Sequence, residues 1–371
     1  MAGIYFHIPF CKTRCVYCDF FSSATKVNEV DEYVEALCEE LRERADYLNG
    51  HPVETIYFGG GTPSQLSAKH FEKIFRTLTE INGMHPASQE ITLEANPDDI
   101  TPKYLNSLKD LPFNRISLGV QSLDDEELRF LNRRHDAQSS VRTVRLCQEQ
   151  GFENISIDLM YGLPGQTIKS WESTIRQAIA LNVQHVSAYH LIYEKNTPLF
   201  DLLQRGIIQT IDEELSVSLF ELLIDRLTGA GFEHYEISNF ALAGYQSRHN
   251  SAYWNGTPYL GIGASAHSYN GTSRQWNASV HGADYRTQGV EVEILDEKVL
   301  FNDFIITRLR TLKGIDLKEL QNLFGEEKAT YCLGQAEKQF SSQQLEVVNN
   351  HLRLTRKGIF VSDGIMAELL L

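Results

Sequence analysis

Cys11, Cys15 and Cys18 fall within eight residues, in the segment Ile4-Tyr-Phe-His-Ile-Pro-Phe-Cys-Lys-Thr-Arg-Cys-Val-Tyr-Cys-Asp-Phe. Three thiolates this close can hold one small metal centre, but they are one short of a closed site. Iron–sulfur clusters normally take four cysteines, and structural zinc takes four Cys or His ligands. One metal position is therefore left for something exchangeable. On spacing alone a zinc site stays open as an alternative, with His7 or Asp19 as its fourth ligand. A disulfide does not fit, because Cys38, Cys147 and Cys332 are scattered and nothing suggests secretion.

The 371 residues are enough for one large domain and a small one. The chain carries 34 basic against 49 acidic residues, a net charge of −15, with no basic block. That argues against a nucleic-acid partner, where a positive footprint is expected. No apolar stretch approaches the length needed to cross a bilayer, and the first residues lack a charged region followed by an apolar run. The expectation is a protein that is neither secreted nor integral to a membrane. With its thiols unpaired, it belongs in a reducing compartment, by default the cytoplasm.

Short β-rich runs alternate with helical patterns through the first 230 or so residues. The strand candidates are Ile4–Ile8, Val53–Phe58, Glu90–Glu94, Arg115–Val120, Asn154–Leu159 and His185–His190. Between the first two, Val30, Tyr33, Val34, Leu37, Cys38 and Leu41 form one stripe at helical spacing. Serial β–α units imply a parallel sheet with right-handed crossovers. Strand parity says more. Ile4, Phe6 and Ile8 alternate with Tyr5 and His7; Ile91 and Leu93 with Thr92 and Glu94; Ile116, Leu118 and Val120 with Ser117, Gly119 and Gln121; Ile155, Ile157 and Leu159 with Ser156 and Asp158. The aliphatic set should pack under helices, which turns the polar and glycine set inward. A closed eight-stranded barrel fills its lumen with bulky branched residues, and these cannot do that. The expected α/β fold is a partial, TIM-like (β/α)6 barrel with a polar ligand in its lumen; a doubly wound sheet is the competing architecture.

Residues 236–295 are rich in Gly, Ser, Asn, Tyr and His without clear periodicity, and read as a loop-rich connection. From 296 to 371 helical patterns return, followed by Leu345-Glu-Val-Val-Asn-Asn-His-Leu-Arg-Leu-Thr355. Asn349-Asn350 between two alternating runs signals a hairpin, so a small winged-helix-like α+β domain is expected there. Its mixed charges favour a scaffold or lid over a DNA reader.

Tyr57-Phe-Gly-Gly-Gly-Thr-Pro-Ser64 directly follows the second strand. Consecutive glycines let backbone approach a ligand and expose amide groups. The segment lacks the Lys of a P-loop and the spacing of a dinucleotide fingerprint. A Cys-x3-Cys-x2-Cys loop after a first strand, followed by such a glycine run, resembles the radical S-adenosylmethionine (SAM) superfamily. The resemblance sharpens with Tyr5-Phe-His-Ile-Pro-Phe-Cys, Leu93-Glu-Ala-Asn-Pro, Leu118-Gly-Val-Gln-Ser, Asn132-Arg-Arg-His and Ile157-Asp-Leu-Met-Tyr-Gly-Leu-Pro-Gly-Gln. In order along essentially the whole chain, these are similar to the family of oxygen-independent coproporphyrinogen III oxidases and their relatives, the heme chaperones of the HemW branch.

The resemblance implies a radical SAM domain over residues 1–235 and a HemN/HemW-type C-terminal domain over 296–371. It implies that Cys11, Cys15 and Cys18 bind three irons of a [4Fe–4S] cluster, with SAM chelating the fourth. Carried over by position, SAM contacts fall on Tyr5, Tyr17, Gly60, Gly61, Thr62, Glu94, Gln121, Arg133 and Asp158. Carboxylates suit the ribose hydroxyls and ammonium of SAM, and an arginine suits its carboxylate.

Two departures separate the branches. The oxidases carry a further cysteine two residues after the third ligand, where this chain has Phe20. Arg248-His-Asn-Ser-Ala-Tyr-Trp254 also contains His-Asn-x-x-Tyr-Trp, which the resemblance associates with heme binding through His249, Asn250, Tyr253 and Trp254. Imidazole is a suitable axial ligand for heme iron, and the aromatic rings offer flat apolar area. By residue type alone, a buried structural histidine is the more ordinary reading.

The leading expectation is therefore a heme chaperone that hands heme to acceptor hemoproteins, membrane-bound respiratory proteins among them. The alternative is an enzyme of porphyrin biosynthesis, cleaving SAM reductively to oxidise coproporphyrinogen III propionates. A third is a radical SAM enzyme with an unrelated substrate.

Overall fold

The computed structural model describes residues 1–24, 27–82 and 84–371. Six parallel strands form the centre of the main sheet: β1 (Ala2–Ile8), β2 (Val53–Gly60), β3 (Glu90–Ala95), β4 (Arg115–Gln121), β5 (Ile155–Tyr161) and β6 (His185–His190). They pair in that order, with Tyr5 beside Tyr57, Tyr57 beside Thr92, Glu94 beside Ser117 and Asp158 beside Ser187. This is the arrangement that strand parity and serial β–α units predict.

The aliphatic set packs outward. Ile4, Phe6, Ile8, Ile56, Phe58, Ile91 and Leu93 are fully buried with residues of α1 (Val27–Glu43) and α2 (Ala68–Asn82) such as Leu37, Leu41, Phe71 and Leu78. On the other half, Ile116, Leu118, Ile155, Ile157 and Leu159 join Val144 and Cys147 of α3 (Ala137–Glu149) and Trp171 and Ile175 of α4 (Ile168–Ala180). Both helices start on capping boxes, Asp136 with Ser139 and Thr167 with Ser170, which satisfy otherwise orphaned amides where the chain turns from sheet to helix. Each buried aliphatic or phenyl side chain contributes about 1.5–3 kcal/mol. A carboxylate at Leu118 would break this layer.

Residues 236–295 differ from the expected loop-rich connection: they extend the sheet at both edges. Beyond β6 lie β8 (Asn239–Ala241) and β7 (Glu233–Glu236), both antiparallel. On the far side β9 (Tyr259–Ile262) runs parallel to β1, followed by antiparallel β10 (His267–Tyr269), β11 (Ser273–Asn277) and β12 (Val290–Ile294). Strands of three to five residues are too short to display an alternation. A buried carboxylate anchors this edge. Glu40 of α1 accepts from Gly263 N at 2.9 Å, Asn277 Nδ2 at 2.7 Å and Tyr285 OH at 2.8 Å, and pairs with Arg44 at 2.9 Å. No sequence motif announces such a link between residues more than 200 positions apart.

Helix α5 (Arg248–Trp254) crosses the N-terminal end of the lumen, where Glu90 of β3 accepts from the backbone N–H groups of Arg248 and His249 at 3.1 and 3.0 Å. The C-terminal part packs α6 (Glu297–Leu309) and α7 (Leu317–Gln335), broken at Gly325, against a small antiparallel sheet of β13 (Ile315–Asp316), β15 (His351–Leu354) and β14 (Leu345–Val348). Asn349 and Asn350 take φ values of 50° and 66°, the left-handed pair that a two-residue hairpin loop requires. Among the described residues, no helix is long and apolar enough to cross a membrane.

Candidate functional site

The parallel strands bring their C-terminal ends to one rim, where the Cys11–Cys18 loop folds over a cavity of about 410 Å³. Cys11, Cys15, Cys18, Tyr17, Gly60, Gly61, Thr62, Glu94, Gln121, Arg133 and Asp158 all line it. Tyr5 does not. It lies one layer deeper, its hydroxyl 3.1 Å from His7 Nδ1.

Local sequence explains the closeness. Gly60 adopts φ +107°, and a Cβ there would stand 2.5 Å from the His7 ring; one at Gly61 would stand 2.8 Å from Ile8 O. The glycines let the end of β2 press against β1 where the cysteine loop departs, and Gly61 N donates to Ile8 O at 2.9 Å. Pairing is irregular between Leu118 and Gln121, and Gln121 takes φ 67° at the end of β4. Such a conformation in a non-glycine residue is strained and belongs to functional rims.

The three thiols are only partly covered. Cys11 Sγ lies 3.3 Å from Thr62 Oγ1, and Arg133 Nη1 donates to Cys15 Sγ at 3.2 Å. The same guanidinium is fixed by Asn96 Oδ1 at 3.0 Å and Gly119 O at 2.6 Å, while its Nε has no partner among the described residues. Burial raises Cys11 and pushes Cys18 up to about 11. Iron would lower both, because a coordinating thiol is deprotonated. Among the described residues, no three Cys, His, Asp or Glu donors are placed to hold a single ion. Three thiols on one loop, opening to one cavity, are the donor set of a cluster with one iron left free. Of the further ligands a zinc site would need, His7 is buried and bonded to Tyr5 and Phe21 O, and Asp19 is exposed.

Two carboxylates face the same cavity. Burial pushes Glu94 up to about 7, against hydrogen bonds from Tyr57 OH at 2.6 Å and Gly60 N at 3.2 Å. Burial likewise pushes Asp158 up to about 6, opposed by the hydroxyls of Ser187 and Ser117. A cationic ligand group would return both toward ordinary carboxylate values.

At the mouth stand apolar side chains open to solvent, Phe20 at 63% and Ile192 at 64% exposure.

The Radical SAM superfamily model matches residues 5–178, and the HemN C-terminal domain model matches 295–361. "Heme chaperone HemW" of Lactococcus lactis is 34% identical, covering 99% of this chain and 97% of its own. The Bacillus subtilis protein of the same name is 39% identical over 88% of this chain and 87% of its own. The chain belongs to the HemW family. The solved structure of the Escherichia coli coproporphyrinogen III oxidase HemN, a radical SAM enzyme, superposes with a TM-score of 0.84. It covers 99% of this chain and 89% of its own at 24% identity, which bears on fold alone. The architecture is thus a partial (β/α)6 radical SAM barrel with a small C-terminal HemN-type α+β domain.

The residues expected from the HemW branch to touch heme lie at the other end of the barrel, on α5. His249 is buried, with Nδ1 2.8 Å from Thr55 Oγ1 and Nε2 2.9 Å from Tyr253 OH. Its ring stacks on Tyr57 at 4.9 Å, and burial, helped by the Arg115 charge, lowers it to about 3. Both nitrogens are therefore occupied, and no axial bond forms without first displacing Tyr253. Asn250 and Trp254 are half-buried, Trp254 lying under the Arg310 guanidinium at 4.8 Å.

Sequence reading missed Asn96, Tyr57 and Arg115. The first two stand inside motifs already singled out, beside Glu94 and Gly59. Arg115 shares the inward parity of Ser117 and Gly119, a signal that was available.

Proposed function

We propose that this chain is a heme chaperone that carries a [4Fe–4S] cluster on Cys11, Cys15 and Cys18 with SAM as its exchangeable ligand. The carrying observation is the single cavity into which those cysteines, the Gly60–Thr62 turn, Glu94, Gln121, Arg133 and Asp158 all open. Its curated relatives over nearly the full chain bear the name heme chaperone. When bound, the cluster supplies an open iron position for the amino and carboxylate groups of SAM. The chain's own residues do the rest. Arg133, held by Asn96 and Gly119 O, places positive charge beside Cys15 and the SAM carboxylate. Glu94 and Asp158 accept from the ammonium and ribose, and Tyr17 closes the side of the cavity. Tyr5 holds His7 beneath the cysteine loop.

Heme is read to engage α5, with His249 as donor once its bond to Tyr253 opens, and to pass from there to acceptor hemoproteins, membrane-bound respiratory proteins included. Cytoplasmic residence follows from the thiols the centre needs. Phe20, in place of the oxidases' additional cysteine, favours delivery over turnover.

The test is a hemin titration of the cluster-reconstituted protein with and without SAM. A shifted Soret band in wild type, weakened in His249→Ala, supports the chaperone reading; an unshifted wild-type spectrum defeats it. The apolar mouth at Phe20 and Ile192 supports a second reading, in which a tetrapyrrole sits over SAM and is oxidised. An anaerobic assay with coproporphyrinogen III decides between them, since protoporphyrinogen would demote the chaperone.

A further inference from the structure

Arg115, at the start of β4, is 2% exposed and one of the largest fully buried side chains of the protein. It points into the lumen, sharing the parity of Ser117 and Gly119. A guanidinium in such a place is normally held by a carboxylate, because an unpaired buried charge costs several kcal/mol. Arg115 has no ion pair among the described residues, and its Nε has no hydrogen-bond partner. Two further orphaned oxygens belong to its neighbours across the sheet. Thr92, its pairing partner on β3, and Asn154, at the entry to β5, leave Oγ1 and Oδ1 unpaired among the described residues.

The charge nevertheless acts on what lies above it. Its field opposes the burial that raises Glu94, one inward position above Thr92 on β3, and Asp158, two inward positions above Asn154 on β5. We propose that Arg115 is a positioning residue of the SAM site: it supplies the positive charge that balances Glu94 and Asp158 from below without an ion pair on their oxygens, which beside the hydrogen bonds from Tyr57, Gly60 and Ser117 keep lone pairs for the ligand. A direct ion pair would occupy those oxygens. An apolar residue would leave two carboxylates facing one another in a covered lumen, where like charges drive one of them to protonate. A cation lower in the lumen avoids both outcomes.

The other groups facing the pair do not replace it. Tyr5, Tyr57, Tyr189 and Tyr253 approach Glu94 from β1, β2, β6 and α5 as neutral phenols, and Ser117 and Ser187 flank Asp158 as hydroxyls. Arg133 is a further cation, approaching Asp158 from the rim, where it is engaged with Cys15, Asn96 and Gly119 O.

The inference rests on Glu94 and Asp158 being SAM contacts, and the test separates the two ideas. SAM binding to anaerobically reconstituted full-length protein is measured by calorimetry from pH 5.5 to 9 for wild type, Arg115→Met and Arg115→Lys. Comparison with wild type cancels the ligand's own titration. In wild type, affinity rises as Glu94 and Asp158 ionise, through about pH 6–7. In Arg115→Met the rise moves up by about one pH unit, which is about a tenfold loss near neutrality and full recovery at alkaline pH. Arg115→Lys stays with wild type, and Arg115→Gln gives the Met result should Met not fold. An Arg115→Met profile superimposable on wild type, or lowered equally at every pH, overturns the proposal. If wild type binds no SAM at any pH, the SAM reading fails instead. Infrared titration of the protonated carboxyl band, assigned with Glu94→Gln and Asp158→Asn, then still decides: a band that does not move in Arg115→Met overturns the role of the charge.

Discussion

The two ends of the barrel lumen are built from the same inward-facing strand positions and behave in opposite ways. At the N-terminal end the polar side chains satisfy one another. His249 is bonded to Thr55 and Tyr253, His185 lies 2.8 Å from both Ser156 Oγ and Tyr235 OH, and Glu90 caps α5. At the C-terminal end the thiols are half-covered, Arg133 Nε is unpaired, and two carboxylates are held above their ordinary values. Both ends are polar and both keep unpaired atoms, but those of the N-terminal part, Arg115 Nε, Thr92 Oγ1 and Asn154 Oδ1, lie outside the cavity lining, whereas the thiols and carboxylates of the C-terminal end open onto it. Inward polarity thus marks a lumen; spare valence that opens onto a cavity marks the part that takes a ligand.

The sharpest way to break this contrast is at the thiols. Replacing any one of Cys11, Cys15 or Cys18 with alanine is expected to remove essentially all of the cluster, read as iron content and as charge-transfer absorbance bleached by dithionite after anaerobic reconstitution. Folding should hardly notice: partly exposed side chains away from the core change stability by about 0.5 kcal/mol. A single variant that retained the full cluster would show that the rim is not the metal site.

The floor should answer in the opposite manner. His249→Ala removes a buried ring with two hydrogen bonds and a stacking partner, and is expected to cost about 2–4 kcal/mol by denaturant unfolding of the cluster-free protein. Tyr253→Phe frees Nε2 and, on the proposed reading, tightens hemin binding about fivefold, the worth of about one hydrogen bond. Unchanged hemin affinity in both variants would make α5 a plug and nothing more. The floor also has a pH signature. His249 sits at about 3 against an ordinary 6.5, so over that interval the unfolded chain binds the extra proton. Its contribution is complete above pH 6.5 and is lost as pH falls toward 3. His249→Ala, less stable throughout, should therefore lose less on acidification than wild type in that window.

How much of this was legible beforehand follows from what each region depends on. The six central strands were readable because each is long enough to show its alternation, and the cysteine and glycine motifs because they are contiguous. The same parity, applied to Arg115, would have placed that residue inside. The edge strands were not readable, since β8 and β9 have three and four residues and are fixed by distant partners such as Glu40. Nor could the motif around His249 reveal its state. Residue type gives an imidazole; only the approach of Thr55 and Tyr253 shows that both nitrogens are taken.

The smallest expected effect inverts the usual sign of a mutation. Glu94 is held at about 7 rather than 4.5, so between those values the folded protein keeps a proton that the unfolded chain releases. Stability from this group is present below pH 4.5 and drains away as pH rises through 7. Glu94→Gln, which keeps an acceptor for Tyr57 and carries no charge, should therefore leave stability near wild type in acid. Above pH 7 it should raise the stability of the ligand-free protein. The side chain is partly open to the cavity, which reduces the gain to about 1–2 kcal/mol, read as an increase in melting temperature. Saturating SAM should reverse the order, because the cation then favours the ionised wild-type carboxylate and the amide offers it less. A Gln variant less stable than wild type at alkaline pH would mean that Glu94 is bound into the fold as His249 is, and the difference between the two ends of the lumen would not hold.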